Sequence, residues 1–257
     1  MTFKENSFFV ECDDLNIACV EVQLEKPKAI VLLVHGLGGQ KNSETHLAFV
    51  GRLSENSISS LRFDFPGHGQ SDGSTADLTI CKGASIVEHM FMLLREKYPH
   101  LPIGLFGASY GATSILASNI VSESKAIALR SPVTDYVAVR NQQLGPDGVS
   151  LWKKKGYLDG FISRGRKTPW IFYEEALGID LYEKALKEIT PMLIVHGSND
   201  TTVPLEHSDK LHRKWLGRSD LIQIKDGCHS LNDSFHTEIS IAIFLQFFHS
   251  KLIHPTE

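Results

Sequence analysis

The chain has 257 residues, of which 42% are hydrophobic and 22% are charged, and this composition excludes a disordered or collagen-like protein. One α/β domain can reach this length, so we expect a single domain over residues 1–257. The formal net charge of -4 is small, which argues against a general attraction to nucleic acid or to an anionic membrane and favours a small-molecule partner.

The amino-terminal segment, residues 1–20, has only short apolar runs between polar and acidic residues. This pattern predicts neither a signal peptide nor a membrane span, and we expect a cytoplasmic protein. The cysteines at positions 12, 19, 81 and 228 show no CxxC spacing and are too few to stabilise a chain of this length by disulfide bonds. They are expected to be reduced thiols.

The first two predicted strands, residues 7–12 and 17–24, alternate apolar and polar side chains, as half-exposed antiparallel strands do. Continuous apolar runs, typical of strands buried on both faces of a parallel sheet, follow at residues 29–34, 103–106, 126–129 and 192–195. Helical patterns lie at residues 79–98, 112–121 and 235–252. A hairpin followed by alternating strands and helices predicts an α/β fold with helices on both faces of a mostly parallel sheet.

Residues 132–190 depart from this alternation and lack a clear buried strand. We interpret them as a cap, an insertion of short helices over the carboxyl ends of the strands, where open α/β sheets bind ligands. Its aromatic side chains include Trp152, Tyr157, Phe161, Trp170, Phe172, Tyr173 and Tyr182. These rings either line a substrate pocket or build a small core for the insertion itself.

The segment GASYG, residues 107–111, matches the pattern G-x-S-x-G, follows the strand-like PIGLF and runs directly into a helical pattern. A sharp turn from strand to helix exposes the serine hydroxyl at the edge of a sheet, and the flanking small residues leave room for that turn. Ser109 is therefore the predicted nucleophile. A second match, GQSDG at residues 69–73, leaves Ser71 as an alternative, although its surroundings predict no helix behind the serine.

A serine nucleophile needs an adjacent base, and that base needs a third group to fix its tautomer. The segment GASYG resembles the nucleophile turn of the α/β hydrolases, and this resemblance implies the order serine, acid, histidine along the chain. The apolar run PMLIVHG ends in SND, which places Asp200 at the carboxyl end of a predicted strand. Asp226 is the alternative acid, although it lies only three residues before the preferred histidine.

His229 is the predicted base because it lies in a loop after the strand-like residues 221–224, where a catalytic imidazole is well placed. The other histidines downstream of Asp200 fall in or beyond helical patterns: His207, His212, His236, His249 and His254. Cys228 beside His229 is an alternative nucleophile, but adjacent side chains usually point in different directions. His207 and His212 lack a third ligand and an HExxH pattern, so no metal is expected.

Two backbone N–H groups are predicted to bind the oxyanion that develops during acyl transfer. One belongs to Tyr110, which follows the nucleophile at the start of a helix. The other is assigned to Leu37 in the loop HGLGG, residues 35–39, whose glycines let the backbone approach a ligand closely. The alternative for this loop is a tight turn that serves packing alone.

Five segments in this order, HGLGG, RFDFPGHGQSDG, GASYG, VHGSND and GCHS, resemble the α/β-hydrolase superfamily over nearly the whole chain. Within it, the loop DFPGHGQSDG and the short insertion are similar to those of bacterial feruloyl and cinnamoyl esterases and related acyl esterases. The resemblance implies an eight-stranded, mostly parallel sheet and neither a metal nor an organic cofactor.

These features together predict a serine hydrolase that cleaves a small-molecule carboxylic ester through an acyl-enzyme. Hydrolysis of a thioester, an amide or peptide, or a carbon–carbon bond uses the same three residues, so these reactions stay open as alternatives. A non-catalytic binding protein that kept the fold is a further alternative. The sequence does not distinguish a monomer from a homodimer.

Overall fold

The computed structural model describes residues 4–160 and 166–254. The strands within these residues are β1 (Lys4–Cys12), β2 (Leu15–Gln23), β3 (Ala29–Val34), β4 (Ile58–Phe63), β5 (Ile103–Ala108), β6 (Ala126–Arg130), β7 (Tyr157–Asp159), β8 (Lys167–Pro169), β9 (Met192–Gly197) and β10 (Ser219–Ile224). The helices are α1 (Glu44–Glu55), α2 (Ile80–Lys97), α3 (Tyr110–Ala117), α4 (Tyr136–Lys155), α5 (Trp170–Gly178), α6 (Leu181–Ala185), α7 (Glu206–Lys214) and α8 (Ser234–Phe248). A 3₁₀ turn, Thr75–Asp77, precedes α2, and a π-helical turn, His249–Ile253, follows α8.

The main sheet has eight strands in the order β1-β2-β4-β3-β5-β6-β9-β10. β1 and β2 form the predicted antiparallel hairpin, and β2 also runs antiparallel to β4. The remaining neighbours in this sheet pair in parallel. The predicted mostly parallel, eight-stranded sheet is therefore confirmed.

The central strands are covered on both faces, which explains their continuous apolar sequence. Alternate residues of β3 enter two different cores: Ile30, Leu32 and Val34 on one face, and Ala29, Val31 and Leu33 on the other. The first core is completed by side chains from α2, α3, α6 and α7, and the second by side chains from α1 and α8. Helices therefore lie on both faces of the sheet, as predicted.

The region between β6 and β9 holds α4, β7, β8, α5 and α6. α4 is interrupted at Gly145, which has φ 63° and ψ 175° and is followed by Pro146, a residue without a backbone N–H to donate. Besides the helices, the region holds a small antiparallel sheet of β7 and β8, which the sequence did not predict and which is not a buried sheet. Strands of three residues are too short for an alternating pattern to be recognised in the sequence.

Aromatic side chains of this region pack mainly on one another. Three rings lie with their centroids 4.9 to 5.5 Å apart: Trp152, Trp170 and Tyr173. Phe172 is buried and its ring lies 6.0 Å from that of Tyr110, which joins the region to α3. Trp152, Trp170 and Tyr173 thus form a local core, the second of the two predicted uses, whereas Phe172 and Tyr182 pack in the main core and Phe161 lies outside the described residues.

The chain order places a crevice at the carboxyl ends of the central strands. β3 lies between β4 and β5, so the chain leaves β3 toward one edge of the sheet and leaves β5 toward the other. Open α/β sheets bind ligands where the strand order reverses in this way. The loop after β3 contains Leu37 and the turn after β5 contains Ser109, so both lie at this crevice.

Candidate active site

Ser109 occupies a strained turn between β5 and α3, with φ 51° and ψ -112°. Non-glycine residues rarely adopt a positive φ, and such strain is frequently found at functional sites. The turn is also crowded: a Cβ atom at Gly107 would lie 2.7 Å from a backbone nitrogen of α3, and one at Gly111 would lie 2.3 Å from the Val34 carbonyl oxygen. The small residues of the motif are therefore required by the packing of this turn.

The structure brings His229 and Asp200 to Ser109. The Nε2 atom of His229 lies 3.0 Å from the Ser109 hydroxyl, and its Nδ1 atom lies 2.7 Å from Oδ2 of Asp200. Because an ionised carboxylate only accepts hydrogen bonds, Nδ1 carries the proton and Nε2 is left to accept one from the serine. The His229 side chain is 21% exposed, whereas the Asp200 carboxylate is fully buried.

Asp200, in the loop that follows β9, is held by four donors: two backbone N–H groups of the same loop and the rings of His196 and His229. Its Oδ1 atom accepts the backbone N–H groups of Thr202 and Val203 at 2.8 and 2.9 Å. Its Oδ2 atom lies within hydrogen-bond distance of His196, at 3.0 Å, as well as of His229. Burial alone would raise the pKa of Asp200, but the hydrogen bonds from the two histidines outweigh it and hold that pKa well below its usual range. The carboxylate therefore stays ionised.

The predicted oxyanion donors are Tyr110, which directly follows Ser109, and Leu37, which directly follows Gly36 in the loop after β3. Tyr110 is the first residue of α3, and within the described part of the chain neither its backbone N–H nor that of Leu37 has an acceptor. Gly36 brings the loop after β3 against the nucleophile, since a Cβ atom there would lie 3.2 Å from the Ser109 Cβ atom. Neither amide therefore has an acceptor among the described residues.

Two buried histidines fix the loop of residues 35–39. Nε2 of His68 accepts the backbone N–H of Gly38 at 3.1 Å, and Nε2 of His35 accepts that of Phe65 at 3.0 Å. The Nδ1 atom of each ring donates to a nearby backbone carbonyl, at 2.8 and 2.9 Å. Burial lowers the pKa of His35 to about 4 and also lowers that of His68, so both rings are neutral acceptors for these amides.

A buried ion pair anchors the end of the same loop. The Lys41 ammonium lies 2.5 Å from Oδ2 of Asp64, and both side chains are almost completely buried. Asp64 also accepts the backbone N–H groups of Lys41 and Gln70, at 2.7 and 2.9 Å. The loops after β3 and β4 are thus tied together beside Ser109. No role was predicted for Lys41, Asp64 or the two histidines of this region, although polar residues within a glycine-rich motif were a signal for one.

The alternative nucleophile and acid make other contacts. The Ser71 hydroxyl donates to the Asp64 carbonyl oxygen at 2.6 Å and accepts the Ala18 N–H at 2.8 Å, so it connects the hairpin to the loop after β4. Asp226 is exposed, and its contact in the structure is a backbone N–H that donates to the Ser198 hydroxyl. It is Asp200 that lies against His229.

The remaining thiol and histidines also have other partners. The Cys228 thiol donates to the Asn232 side-chain oxygen, His207 contacts the Thr134 hydroxyl at 3.2 Å, and His212 contacts a serine hydroxyl of β10. No group of three or more histidine, cysteine, aspartate or glutamate side chains that is able to hold a metal ion occurs in residues 4–160 and 166–254. Over the same ranges, every helix is too short or too polar to cross a membrane.

Comparison with known proteins places this chain in a family. A family model described as Serine aminopeptidase, S33, matches residues 25–155. The protein YfhR of Escherichia coli O157:H7 is 25% identical over 206 residues, a match that covers 78% of this chain and 63% of YfhR. This chain therefore spans less than two thirds of the length of that relative. The mouse palmitoyl-protein thioesterase ABHD10 is 26% identical over 188 residues, covering 67% of this chain and 59% of ABHD10.

The solved structures that are similar share the fold over almost the whole chain. Est1E from Butyrivibrio proteoclasticus, in a structure with ferulic acid bound, superimposes with a TM-score of 0.83 at 23% identity and covers 95% of this chain and 98% of its own. Mouse ABHD10 superimposes with a TM-score of 0.79 at 19% identity, with the same coverage. At these identities the likeness shows the fold alone, and it confirms the predicted α/β-hydrolase fold.

Proposed function

Because the chain belongs to the α/β-hydrolase family described as Serine aminopeptidase, S33, we propose that it hydrolyses carboxylic esters with Ser109 as nucleophile, His229 as general base and Asp200 as the group that orients the base. The proposal rests on the continuous hydrogen-bonded line from the Ser109 hydroxyl through the His229 ring to the Asp200 carboxylate. The proposed substrate is a small-molecule ester.

The first half of the reaction forms an acyl-enzyme. As the Ser109 oxygen attacks the ester carbonyl carbon, its proton passes to Nε2 of His229, and Asp200 stabilises the resulting imidazolium. The carbonyl oxygen becomes an oxyanion that the backbone N–H groups of Leu37 and Tyr110 stabilise. The bond to the alcohol oxygen then breaks, and the alcohol leaves with the proton that His229 returns to it.

The second half releases the acid. His229 takes a proton from a water molecule, and the water oxygen attacks the acyl carbon of the Ser109 ester. The same two backbone donors stabilise the second oxyanion. When the bond to the Ser109 oxygen breaks, His229 returns the proton and the free serine is regenerated.

Thioester hydrolysis is the second candidate. It is favoured by the likeness to mouse ABHD10, a palmitoyl-protein thioesterase by name, whereas the Est1E structure with ferulic acid favours an ester. The family description names an aminopeptidase, so an amide substrate is a third outcome to test. These bonds share the nucleophile and differ in the leaving group.

Rates on matched substrates test the proposal. We expect p-nitrophenyl acetate to be cleaved with a higher kcat/KM than an acetyl thioester or an aminoacyl anilide. Ser109→Ala should remove all but a residual acceleration, and Asp200→Asn should lower kcat by about 10⁴-fold because the histidine tautomer is no longer fixed. Asp226→Asn is the matched control, since its carboxylate is exposed, and it should retain wild-type activity.

A higher rate on the thioester or the anilide would reassign the leaving group and keep the nucleophile. Full ester hydrolysis by Ser109→Ala would reject the mechanism. Failure of a fluorophosphonate probe to label Ser109 in the wild-type protein would favour a non-catalytic binding protein.

A further inference from the structure

One oxygen of Asp200 meets two imidazole rings. Oδ2 lies 2.7 Å from Nδ1 of His229 and 3.0 Å from Nε2 of His196. The other oxygen, Oδ1, is occupied by two backbone N–H groups of the same loop. His196 therefore competes with the catalytic histidine for the same negative charge.

The surroundings of His196 decide where its proton lies. Nε2 also lies 3.1 Å from the Val203 carbonyl oxygen, so both of its neighbours are acceptors and Nε2 must carry a hydrogen. On the other side of the ring, Nδ1 lies 2.6 Å from the Ser208 hydroxyl, a group able to donate to it. The contact with Asp200 is thus an N–H donated to a carboxylate.

His196 is placed rigidly. It lies on β9, and neither its side chain nor the Asp200 carboxylate has any exposed surface. Ser208 on α7 is also fully buried, so the ring is held from the strand and from the helix that covers it. A hydrogen bond to an ionised group in a buried site is stronger than one at the surface.

We propose that His196 is a positioning residue: its Nε2–H fixes Oδ2 of Asp200 and withdraws part of its negative charge from His229, so that His229 stays a neutral base at lower pH. This inference rests on the proposed function, in which His229 is the base. It gives a function to a buried histidine that the sequence pattern alone does not distinguish from packing.

The direction of the effect follows from electrostatics. The Asp200 charge favours the imidazolium form of His229, because opposite charges in contact stabilise each other. A second donor on the same oxygen disperses that charge and weakens the stabilisation. Removing the donor from His196 should therefore raise the pH at which His229 becomes protonated.

Other ionisable groups near the pair come from several elements. His207 on α7 interacts electrostatically with His196, and Asp135, Glu206 and Lys210 act on His207 in turn. Arg130 at the end of β6 interacts with Cys228, which precedes His229. The two substitutions of His196 described next leave all of these side chains unchanged. A difference between the two variants in the titration midpoint of His229 therefore reports the loss of the Nε2 donor.

Two substitutions separate the two nitrogen atoms of His196. In His196→Asn the side-chain amide reaches roughly the place of Nδ1, so it keeps a partner for Ser208 but loses the donor to Asp200. In His196→Gln the longer side chain places its amide near Nε2, so it keeps the donor to Asp200. Folding is checked by circular dichroism and thermal unfolding of both variants.

The readout is the titration midpoint of the His229 ring, measured by NMR on protein with ¹⁵N-labelled histidine. We expect the midpoint to rise by about one pH unit in His196→Asn and to stay close to the wild-type value in His196→Gln. The acid limb of kcat/KM for p-nitrophenyl acetate should move in the same order. Equal midpoints in the wild type and His196→Asn, or equal rises in both variants, would overturn the inference.

Failure of the proposed function is distinguishable from failure of this inference. A protein that hydrolyses none of the three substrates rejects the function, while the NMR midpoints still report on His196 because they need no turnover. If His196→Asn does not fold, the imidazole N–H resonances of the wild type, compared with those of Asp200→Asn, give the test. Slowly exchanging signals from Nδ1 of His229 and Nε2 of His196 that are both lost in Asp200→Asn support the shared contact, and a signal from His229 alone contradicts it.

Discussion

The backbone N–H of Gly38 donates to Nε2 of His68 over 3.1 Å, which ties the loop carrying Leu37 to the loop after β4. His68 is buried, and its Nδ1 atom donates to the Pro66 carbonyl oxygen, so the ring has only one orientation that satisfies both contacts. A loop that supplies an oxyanion donor must hold it in place before the substrate arrives. We therefore expect His68 to affect catalysis by holding the backbone of Gly38, next to Leu37, in place.

Replacing His68 by alanine should release this loop. We expect kcat for p-nitrophenyl acetate to fall by between about 10-fold and 100-fold, which is no more than the fall in kcat when one oxyanion donor is removed. KM should stay nearly unchanged. His68→Gln is the matched control, because its amide oxygen can accept the Gly38 N–H, and it should recover most of kcat. Equal kcat values for the alanine variant and the wild type would show that the loop is held without His68.

The pKa of His35 predicts how stability depends on pH. Burial, together with the neighbouring His68 ring, lowers the pKa of His35 to about 4, whereas an unfolded histidine titrates near 6.5. Between these values the unfolded chain binds a proton that the folded chain does not. The contribution of His35 to the free energy of unfolding should therefore be greatest above pH 6.5 and fall by about 3 kcal/mol as the pH drops toward 4, and the lowered pKa values of His46, His68 and His207 add falls in the same direction.

Urea unfolding at a series of pH values measures this dependence. His100→Gln is a suitable control because His100 is exposed, and it should leave the curve unchanged. A free energy of unfolding that stays constant from pH 7 to pH 5 would contradict the neutral, buried state of His35.

Lys41→Met tests the buried ion pair. The substitution leaves the Asp64 carboxylate without its cation in a site with no access to water, and we expect a loss of about 3 kcal/mol in the free energy of unfolding. As a control, Arg52→Ala removes an exposed ion pair with Glu55 and should change the free energy of unfolding by less than about 1 kcal/mol. Similar losses in the two variants would mean that burial does not distinguish the pairs.

Gly111→Ala tests the packing of the turn that carries the nucleophile. The added Cβ atom would lie 2.3 Å from the Val34 carbonyl oxygen and 2.7 Å from that of His35, so the turn and the end of β3 must separate. We expect a lower melting temperature and a loss of esterase activity. At Gly51 on α1 an added Cβ meets nothing within 4 Å, and Gly51→Ala should stabilise the protein by up to about 1 kcal/mol. Wild-type activity in Gly111→Ala would refute the close approach.

Much of the fold could be predicted because local sequence decides it. β3 has the predicted bounds, since a short apolar run between polar residues and a glycine-rich loop is compatible with few structures other than a buried strand. α3 begins at Tyr110, two residues before the predicted start, because the turn at Ser109 leads straight into the helix. It ends at Ala117, four residues earlier than predicted, although Ile120 and Val121 beyond it are buried.

The site was predictable only in part. Ser109, Asp200 and His229 each lie at a strand end with a recognisable pattern, so their approach could be anticipated from the fold. Residues that hold them in place depend on contacts between distant segments. His196 lies in an apolar run, where a histidine is expected to have a packing role. Its contact with Asp200 requires the loop after β9 to fold back on the strand.

The most direct test of the central claim is the site of covalent modification by an ester that acylates the enzyme. After a brief reaction with p-nitrophenyl acetate is quenched with acid, peptide mass spectrometry should find the acetyl group on Ser109, and none in Ser109→Ala. An acetyl group on Ser71 or Cys228, or continued turnover by a protein without Ser109, would contradict the proposed mechanism.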